Sequence, residues 1–315
     1  MNMDAPQNNA IEQELLDMDV RLRCPRCGAG IDGLDCPACY FRIRTIDGIL
    51  HALPEESAAH YVEFVRDYER IREAEGRGSE SDDFYLNLPF RDISKNNSAQ
   101  WRIRVRSYDY IVRHLLSGSK TILDLGAGNC WMSYRLALAG YRPVAVDLLT
   151  NDRDGLGAAR HYQGHLPKRF PRIQAEIVHL PFEDEQFDAA IFNASFHYAE
   201  DYEASLREAL RCLRGGGAVI VSDTPWYPDE GSGRKMVDER RAAFLKNYGT
   251  ASNSLASLDY LTPERLRVLE EKLSIHWETH CPRYGLRWAM RPLMAKLRGR
   301  RKPSLFRIYV ARKIA

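Results

Sequence analysis

From Thr121 to Asn129 the chain reads Thr-Ile-Leu-Asp-Leu-Gly-Ala-Gly-Asn, an apolar run that breaks into a turn carrying Gly126 and Gly128. An apolar strand ending in paired glycines and followed by an amphipathic stretch is a strand-turn-helix corner. The glycines let backbone approach a ligand at the carboxyl end of the strand, where the next helix points its free N–H groups. After Gly118 short apolar runs alternate with longer amphipathic stretches, the pattern of a mostly parallel sheet covered by helices on both faces. Strands are expected at Thr121–Leu125, Pro143–Asp147, Gln174–Val178, Phe187–Asn193, Ala218–Ser222, Ser274–Glu278 and Ser304–Ala311. The fold class is therefore α/β, a seven-stranded Rossmann-like sheet.

The second strand, Val144-Ala145-Val146-Asp147, ends in a carboxylate 19 residues beyond Gly128. An acid there can accept hydrogen bonds from both hydroxyls of a ribose. Glycine turns after strands are common, but few are followed by an acid at this distance. A dinucleotide fingerprint would want a third glycine at position 131, and the residue is Trp131. Close pyrophosphate packing is thereby disfavoured, whereas an adenosine cofactor without phosphates tolerates the bulk.

A second motif precedes this region. Cys24-Pro25-Arg26-Cys27 and Cys36-Pro37-Ala38-Cys39 are two CxxC knuckles separated by eight residues. Two such turns place four thiolates around one tetrahedral centre, the arrangement of a structural zinc site; tetrahedral thiolates also support iron or a redox pair. Four protein ligands leave no open position, so the metal is expected to hold the fold rather than do chemistry. Cys130, Cys212 and Cys281 have no paired spacing and are expected to be buried, inert thiols.

The 315 residues, 44% hydrophobic and 28% charged, suit one large and one small unit. The expected division is a loose or partly helical leader over 1–20; the cysteine module over 21–54; linking and N-terminal helices over 55–118; and the α/β domain over 119–315. A charged insertion at 225–262 is expected to carry a lid helix, with Met236, Val237, Arg240, Phe244 and Leu245 on it. Tyr61, Phe64, Val65, Tyr68 and Ile71 repeat at helical spacing, as do Trp101, Val105, Tyr108, Val112 and Leu115. The polar, acidic start does not read as a secretory signal and no apolar run reaches the length of a membrane span, so a cytoplasmic protein without stable membrane insertion is expected. Net charge is +2, yet eleven Lys or Arg and no acid follow Glu278. That asymmetry fits a solvated basic segment between two strands, or a surface for nucleic acid or anionic lipid.

On these residues the stretch from Lys120 to Asp223 resembles the class I S-adenosylmethionine-dependent methyltransferases, above all the ubiquinone and menaquinone C-methyltransferase group. Asp124, Gly126, Ala127 and Gly128 fit the family's first motif, and Asp147 fits its ribose-binding acid. His179-Leu180-Pro181-Phe182 with Phe187-Asp188 resembles the group's "LPF…FD" segment. The resemblance implies an adenine contact at Glu176, where the family usually has Asp, with the Ile177 backbone N–H meeting the ring. It implies that Asn193 lies beneath the methyl donor and that Gly215-Gly216-Gly217 is the turn before the fifth strand. The sequence Asn193-Ala194-Ser195-Phe196 lacks the Asn-Pro-Pro-aromatic clamp of many base-amine methyltransferases, which disfavours adenine as acceptor. His197 follows as a candidate general base.

The resemblance thus implies an enzyme using S-adenosyl-L-methionine, with a small-molecule acceptor that is phenolic, quinone-like or a secondary metabolite. Trp226, Tyr227 and His197 are expected to line its pocket. Ile46-Asp47-Gly48-Ile49-Leu50 resembles the end of zinc ribbons in activators of tRNA methyltransferases, and a zinc module before such a domain also resembles ribosomal guanine-N1 methyltransferases. RNA is accordingly the rival acceptor, and an inactive binding or scaffold protein the third reading. Nothing in the sequence fixes the oligomeric state.

Overall fold

In the computed structural model, which describes residues 5–314, nine strands form one sheet where seven were expected. The two additional strands come from the cysteine module. They are β1 (Arg44–Ile46) and β2 (Ile49–His51), a hairpin turning on Asp47 and Gly48. The rest are β3 (Thr121–Leu125), β4 (Arg142–Asp147), β5 (Arg172–Gln174), β6 (Phe187–Asn193), β7 (Leu213–Ser222), β8 (Glu278–His280) and β9 (Ile308–Arg312). Their order is β1-β2-β5-β4-β3-β6-β7-β9-β8. From β2 to β7 every pairing is parallel, and the two edges are antiparallel.

The chain runs from β3 outward through β4 to β5, then returns to the other side of β3 as β6. That reversal opens a crevice beyond the carboxyl ends of β3 and β6, where ligands bind in sheets of this kind. All five residues of β3 are buried, as a central parallel strand covered on both faces must be. Leu123, Leu125, Val144, Val146, Phe192 and Val221 pack into the core on one face, and Ile122, Ala145, Ile191 and Ile220 into the core on the other.

The helices are α1 (Ala5–Asp17), α2 (Glu55–Ala74), α3 (Asp82–Asn87), α4 (Ser98–His114), α5 (Trp131–Leu138), α6 (Tyr202–Cys212), α7 (Glu230–Tyr248), α8 (Pro263–Leu273), α9 (Leu286–Ala289) and α10 (Arg291–Leu297). The leader is tied down: Ile11, Leu15, Met18 and Val20 are buried in the first core; residues 1–4 lie outside the described residues. Both expected periodic helices form, as α2 and α4. A helix does form in the 225–262 insertion, α7, begun by Asp229, whose side chain accepts from the Ser232 N–H, and ended by left-handed Gly249. Leu245, one of the residues that suggested this helix, is exposed.

β7 begins earlier than expected, at Leu213 rather than Ala218, and three other expected strands shift. β5 is Arg172–Gln174 rather than Gln174–Val178, because the Arg172 guanidinium is satisfied inside the fold by the carbonyls of Leu156 and Gly48 at 3.0 and 2.8 Å. A charged residue can then sit in a buried strand. β8 starts at Glu278 instead of Ser274, since Ser274 is left-handed and caps α8. β9 starts at Ile308, because Leu305 is held by a local bridge to Trp226.

Candidate functional site

The glycine turn closes over the end of β4. The N–H groups of Gly126 and Ala127 both donate to the Val146 carbonyl, at 2.9 and 3.0 Å. Gly126 has φ 73°, and a Cβ built there would lie 2.3 Å from the Ser195 Cβ. Glycine is thus required twice, by conformation and by space. Gly128, at φ 53°, donates its N–H to Asp147 Oδ2 at 2.7 Å, and the Leu149 N–H donates to Asp147 Oδ1 at 2.8 Å. Burial pushes the Asp147 carboxyl up to about 6 against the pull of those amides. A carboxylate has about four lone-pair sites, so two acceptor positions remain for a diol.

Asp124 is placed differently. It sits inside β3, one residue before its end, 1% exposed and accepting from Ser133 Oγ of α5 at 2.6 Å. Burial, with the Asp147 charge adding to it, pushes its carboxyl up to about 7. It joins strand to helix beneath the turn. Glu176 and Ile177 follow β5 in an irregular segment, with Ile177 partly buried against the core. The Glu176 carboxylate is engaged by Ser57 Oγ at 2.7 Å and Tyr61 OH at 3.1 Å, both on α2, and by His179 Nδ1 at 2.9 Å. Gly215–Gly217 lie within β7 rather than in a turn before it.

At the carboxyl end of β6, Asn193 Nδ2 donates to Ser222 Oγ at 2.8 Å and to Asp223 Oδ2 at 3.2 Å. Ala194 and Asp223 are both left-handed, at φ 55° and 54°, so the two chains turn away together from the sheet edge. Beyond them lies a chamber of about 280 Å³ walled by α2, α4, the 196–198 turn and α7. Phe64, Tyr68 and Tyr198 form one wall, with Tyr68 and Tyr198 edge to face at 5.5 Å.

Charge in the chamber is mostly paired. Arg72 grips Asp154 through Nε and Nη2 together, Arg77 bonds Glu75 at 2.7 Å, and Arg240 bonds Asp259 at 2.7 Å. Arg104 lies over the Trp101 ring at 4.5 Å without an acidic hydrogen-bond partner among the described residues, and burial pushes it down to about 10. Asp223 accepts from Ser107 Oγ of α4 at 2.5 Å, and burial raises its carboxyl.

His197 lines the chamber, with its Nδ1 buried and unpartnered. Enclosure, with Arg240 and Arg104 nearby, pushes its imidazole down to about 3, so the ring is neutral and a weak base. Trp226 and Tyr227 do not line the chamber. Both are buried, Trp226 bridged to Leu261 and Leu305, and Tyr227 packed edge to face on Tyr260. Asp223 and Arg104 were missed in the sequence. Asp223 had a signal, because Ile220-Val221-Ser222-Asp223 repeats the strand-then-acid pattern of Val146-Asp147. Arg104 had none.

The four cysteines meet as the spacing predicts, with all Sγ atoms within 4.8 Å and the pairs Cys24–Cys39 and Cys27–Cys36 at 3.5 and 3.6 Å. A zinc ion bound at about 2.3 Å to each thiolate needs sulfurs about 3.8 Å apart, so the cage fits it. The knuckles are copies of one turn. Gly28 N–H donates to the Cys24 carbonyl and Tyr40 N–H to the Cys36 carbonyl, each at 2.9 Å. Of the remaining cysteines, Cys130 and Cys212 are buried as expected, but Cys281 is exposed, because it lies where the chain leaves edge strand β8.

Comparison with known proteins agrees with this geometry. Residues 123–221 match the family model described as Methyltransferase domain. The chain is 32% identical over 108 residues to the demethylmenaquinone methyltransferase of Mycolicibacterium gilvum, covering 34% of this chain and 43% of that one. It is 31% identical over 138 residues to that of Corynebacterium efficiens, covering 43% and 54%. The chain thus spans about half the length of the curated relatives it matches. A solved geranyl diphosphate methyltransferase, in complex with GPP and sinefungin, shares the fold at a TM-score of 0.50 and 16% identity, over 68% of this chain and 79% of that one.

Proposed function

We propose that this chain, whose residues 123–221 form a class I methyltransferase domain, transfers a methyl group from S-adenosyl-L-methionine to a small-molecule acceptor held in the chamber beyond β6 and β7. The observation that carries this reading is the chamber itself. Its floor, Ala194 and Asp223, stands at the ends of β6 and β7, next to the glycine turn and Asp147 on β3 and β4.

The residues fit the cofactor. Asp147, with two free acceptor positions, is assigned the ribose diol, and Gly126, Ala127 and Gly128 the backbone that borders it. Glu176 and Ile177 are assigned the adenine end, with Ser57 and Tyr61 holding the Glu176 carboxylate in place. Asp124 acts through Ser133 to hold the turn. The aromatic wall of Tyr68 and Tyr198 and the Asp223 carboxylate suit a cationic sulfonium. When bound, the cofactor supplies a methyl group already activated by that sulfonium.

What remains for the protein is alignment and exclusion of water, which supply most of the acceleration in such a transfer. α2 and α7 close the chamber from two sides. Asn193 fixes Asp223 from β6 while Ser107 fixes it from α4, so a carboxylate of raised proton affinity faces the acceptor. Asp223 is therefore the group assigned to take a proton from the acceptor. Neutral His197 is assigned to position the acceptor from the chamber wall rather than to carry charge. A demethylated quinone or other phenolic acceptor is the class to test first. The four cysteines are assigned a structural zinc ion.

The test is incubation of the protein with methyl-labelled cofactor and separately with a small-molecule metabolite extract and total RNA. Label in an organic-soluble product supports the reading; label confined to RNA rejects it.

A further inference from the structure

Between β8 and β9 the chain makes a long connection. It holds α9 and α10, and from Thr279 to the end of the chain there is no Asp or Glu. Leu286, Met290, Leu293 and Leu297 recur at i, i+4, i+7 and i+11, the spacing of one helical stripe carried across both short helices. They are 85, 51, 55 and 72% exposed, and no residue of either helix is buried. Solvent-facing apolar side chains in a row are unusual on a soluble surface and mark a contact.

Around the stripe lie Arg283, Arg287, Arg291, Lys296, Arg298, Arg300, Arg301 and Lys302. Two are paired, Arg301 with Glu239 and Lys302 with Asp229; the other six make no ion pair among the described residues. A short amphipathic segment with large apolar residues along one stripe and unpaired cations beside it matches the interface of an anionic bilayer, which takes both. A nucleic acid would satisfy the cations but leave four large aliphatic side chains unused.

We propose that residues 283–302 dock the protein on the surface of a membrane containing anionic lipid, with the Leu286–Leu297 stripe lying in the interface. Among the described residues no helix is long and apolar enough to cross a membrane, so the contact is peripheral. The segment is tied to the chamber. Trp288 stacks on Phe306, a chamber residue, at 5.3 Å, and Tyr284 OH meets Ser107 Oγ, the partner of Asp223, at 3.1 Å. Docking would therefore set the chamber close behind the lipid surface.

The test uses the full chain in vesicle flotation, with phosphatidylcholine vesicles against the same vesicles containing phosphatidylglycerol. Binding is expected to be at least roughly tenfold stronger to the anionic vesicles. Leu293→Asp with Leu297→Asp should reduce it by roughly tenfold or more while leaving the melting temperature unchanged, since both residues are exposed. Equal binding to both vesicle types, or vesicle binding indifferent to the double substitution, overturns the proposal. So does a double variant that loses affinity for RNA and none for vesicles. Methyl transfer does not enter the readout, so the outcome is independent of the reaction assigned above.

Discussion

The Gly128 N–H donates to Asp147 Oδ2 at 2.7 Å, so the turn after β3 and the acid at the end of β4 form a single hydrogen-bonded unit. The amide holds the carboxylate in one rotamer with its remaining lone pairs free. Asp147→Asn should leave the fold intact but weaken S-adenosylhomocysteine binding roughly tenfold to a hundredfold, the loss of about 1.5–3 kcal/mol of charge-assisted hydrogen bonding. Isothermal titration calorimetry measures it. An unchanged affinity would remove Asp147 from the site.

The same carboxyl fixes a pH dependence. Its folded value of about 6 lies above its ordinary 3.8, so the fold binds this proton more tightly than the unfolded chain does. Its contribution to stability is fully present below 3.8 and lost as pH rises through about 6. Ligand affinity runs the opposite way, because the ribose needs the ionised form. Titrations across this range should show affinity falling as pH drops below about 6 in the native protein and a flatter profile in Asp147→Asn.

Gly126→Ala places a Cβ 2.3 Å from that of Ser195 in a backbone region that L-residues avoid. The two effects together should cost about 2–4 kcal/mol. Adding Ser195→Gly should recover the packing part but not the conformational part. Chemical denaturation of the single and double variants separates them.

In the cysteine module Gly28 and Tyr40 occupy matching positions, at φ 74° and 58°. Tyr40 is 89% exposed and contributes little by packing. Tyr40→Gly should stabilise the zinc-loaded protein by about 1 kcal/mol, and Gly28→Ala should destabilise it by a similar amount. Metal analysis should find one zinc per chain. Chelation should speed amide exchange first in β1 and β2, which follow the cage directly in the chain.

For the chamber, Asp223→Asn should lower kcat roughly a hundredfold to ten-thousandfold, whereas His197→Phe should act mainly on KM. The contrast follows from the opposite effects of burial on the two groups, a carboxyl raised and an imidazole pushed down to about 3. Steady-state kinetics with an identified acceptor reads both.

The sequence alone determined what depends on local spacing. The Gly126–Gly128 turn, the acid at Asp147, the CxxC pairs, the strand-helix alternation and helices α2, α4 and α7 all express short-range rules of period, turn chemistry and ligand count. Only the tertiary structure decided which distant segments meet. β2 pairs with β5, joining Leu50 to Ile173 across more than a hundred residues and merging the cysteine module into the sheet. Arg172 is buried because carbonyls of two other segments receive it. Trp226 and Tyr227 went to packing, while Asp223 and Arg104 came to the chamber. The reason is physical: a residue's exposure and proton affinity are set by neighbours contributed from elsewhere in the chain, and those contacts leave no periodic trace in the sequence around it.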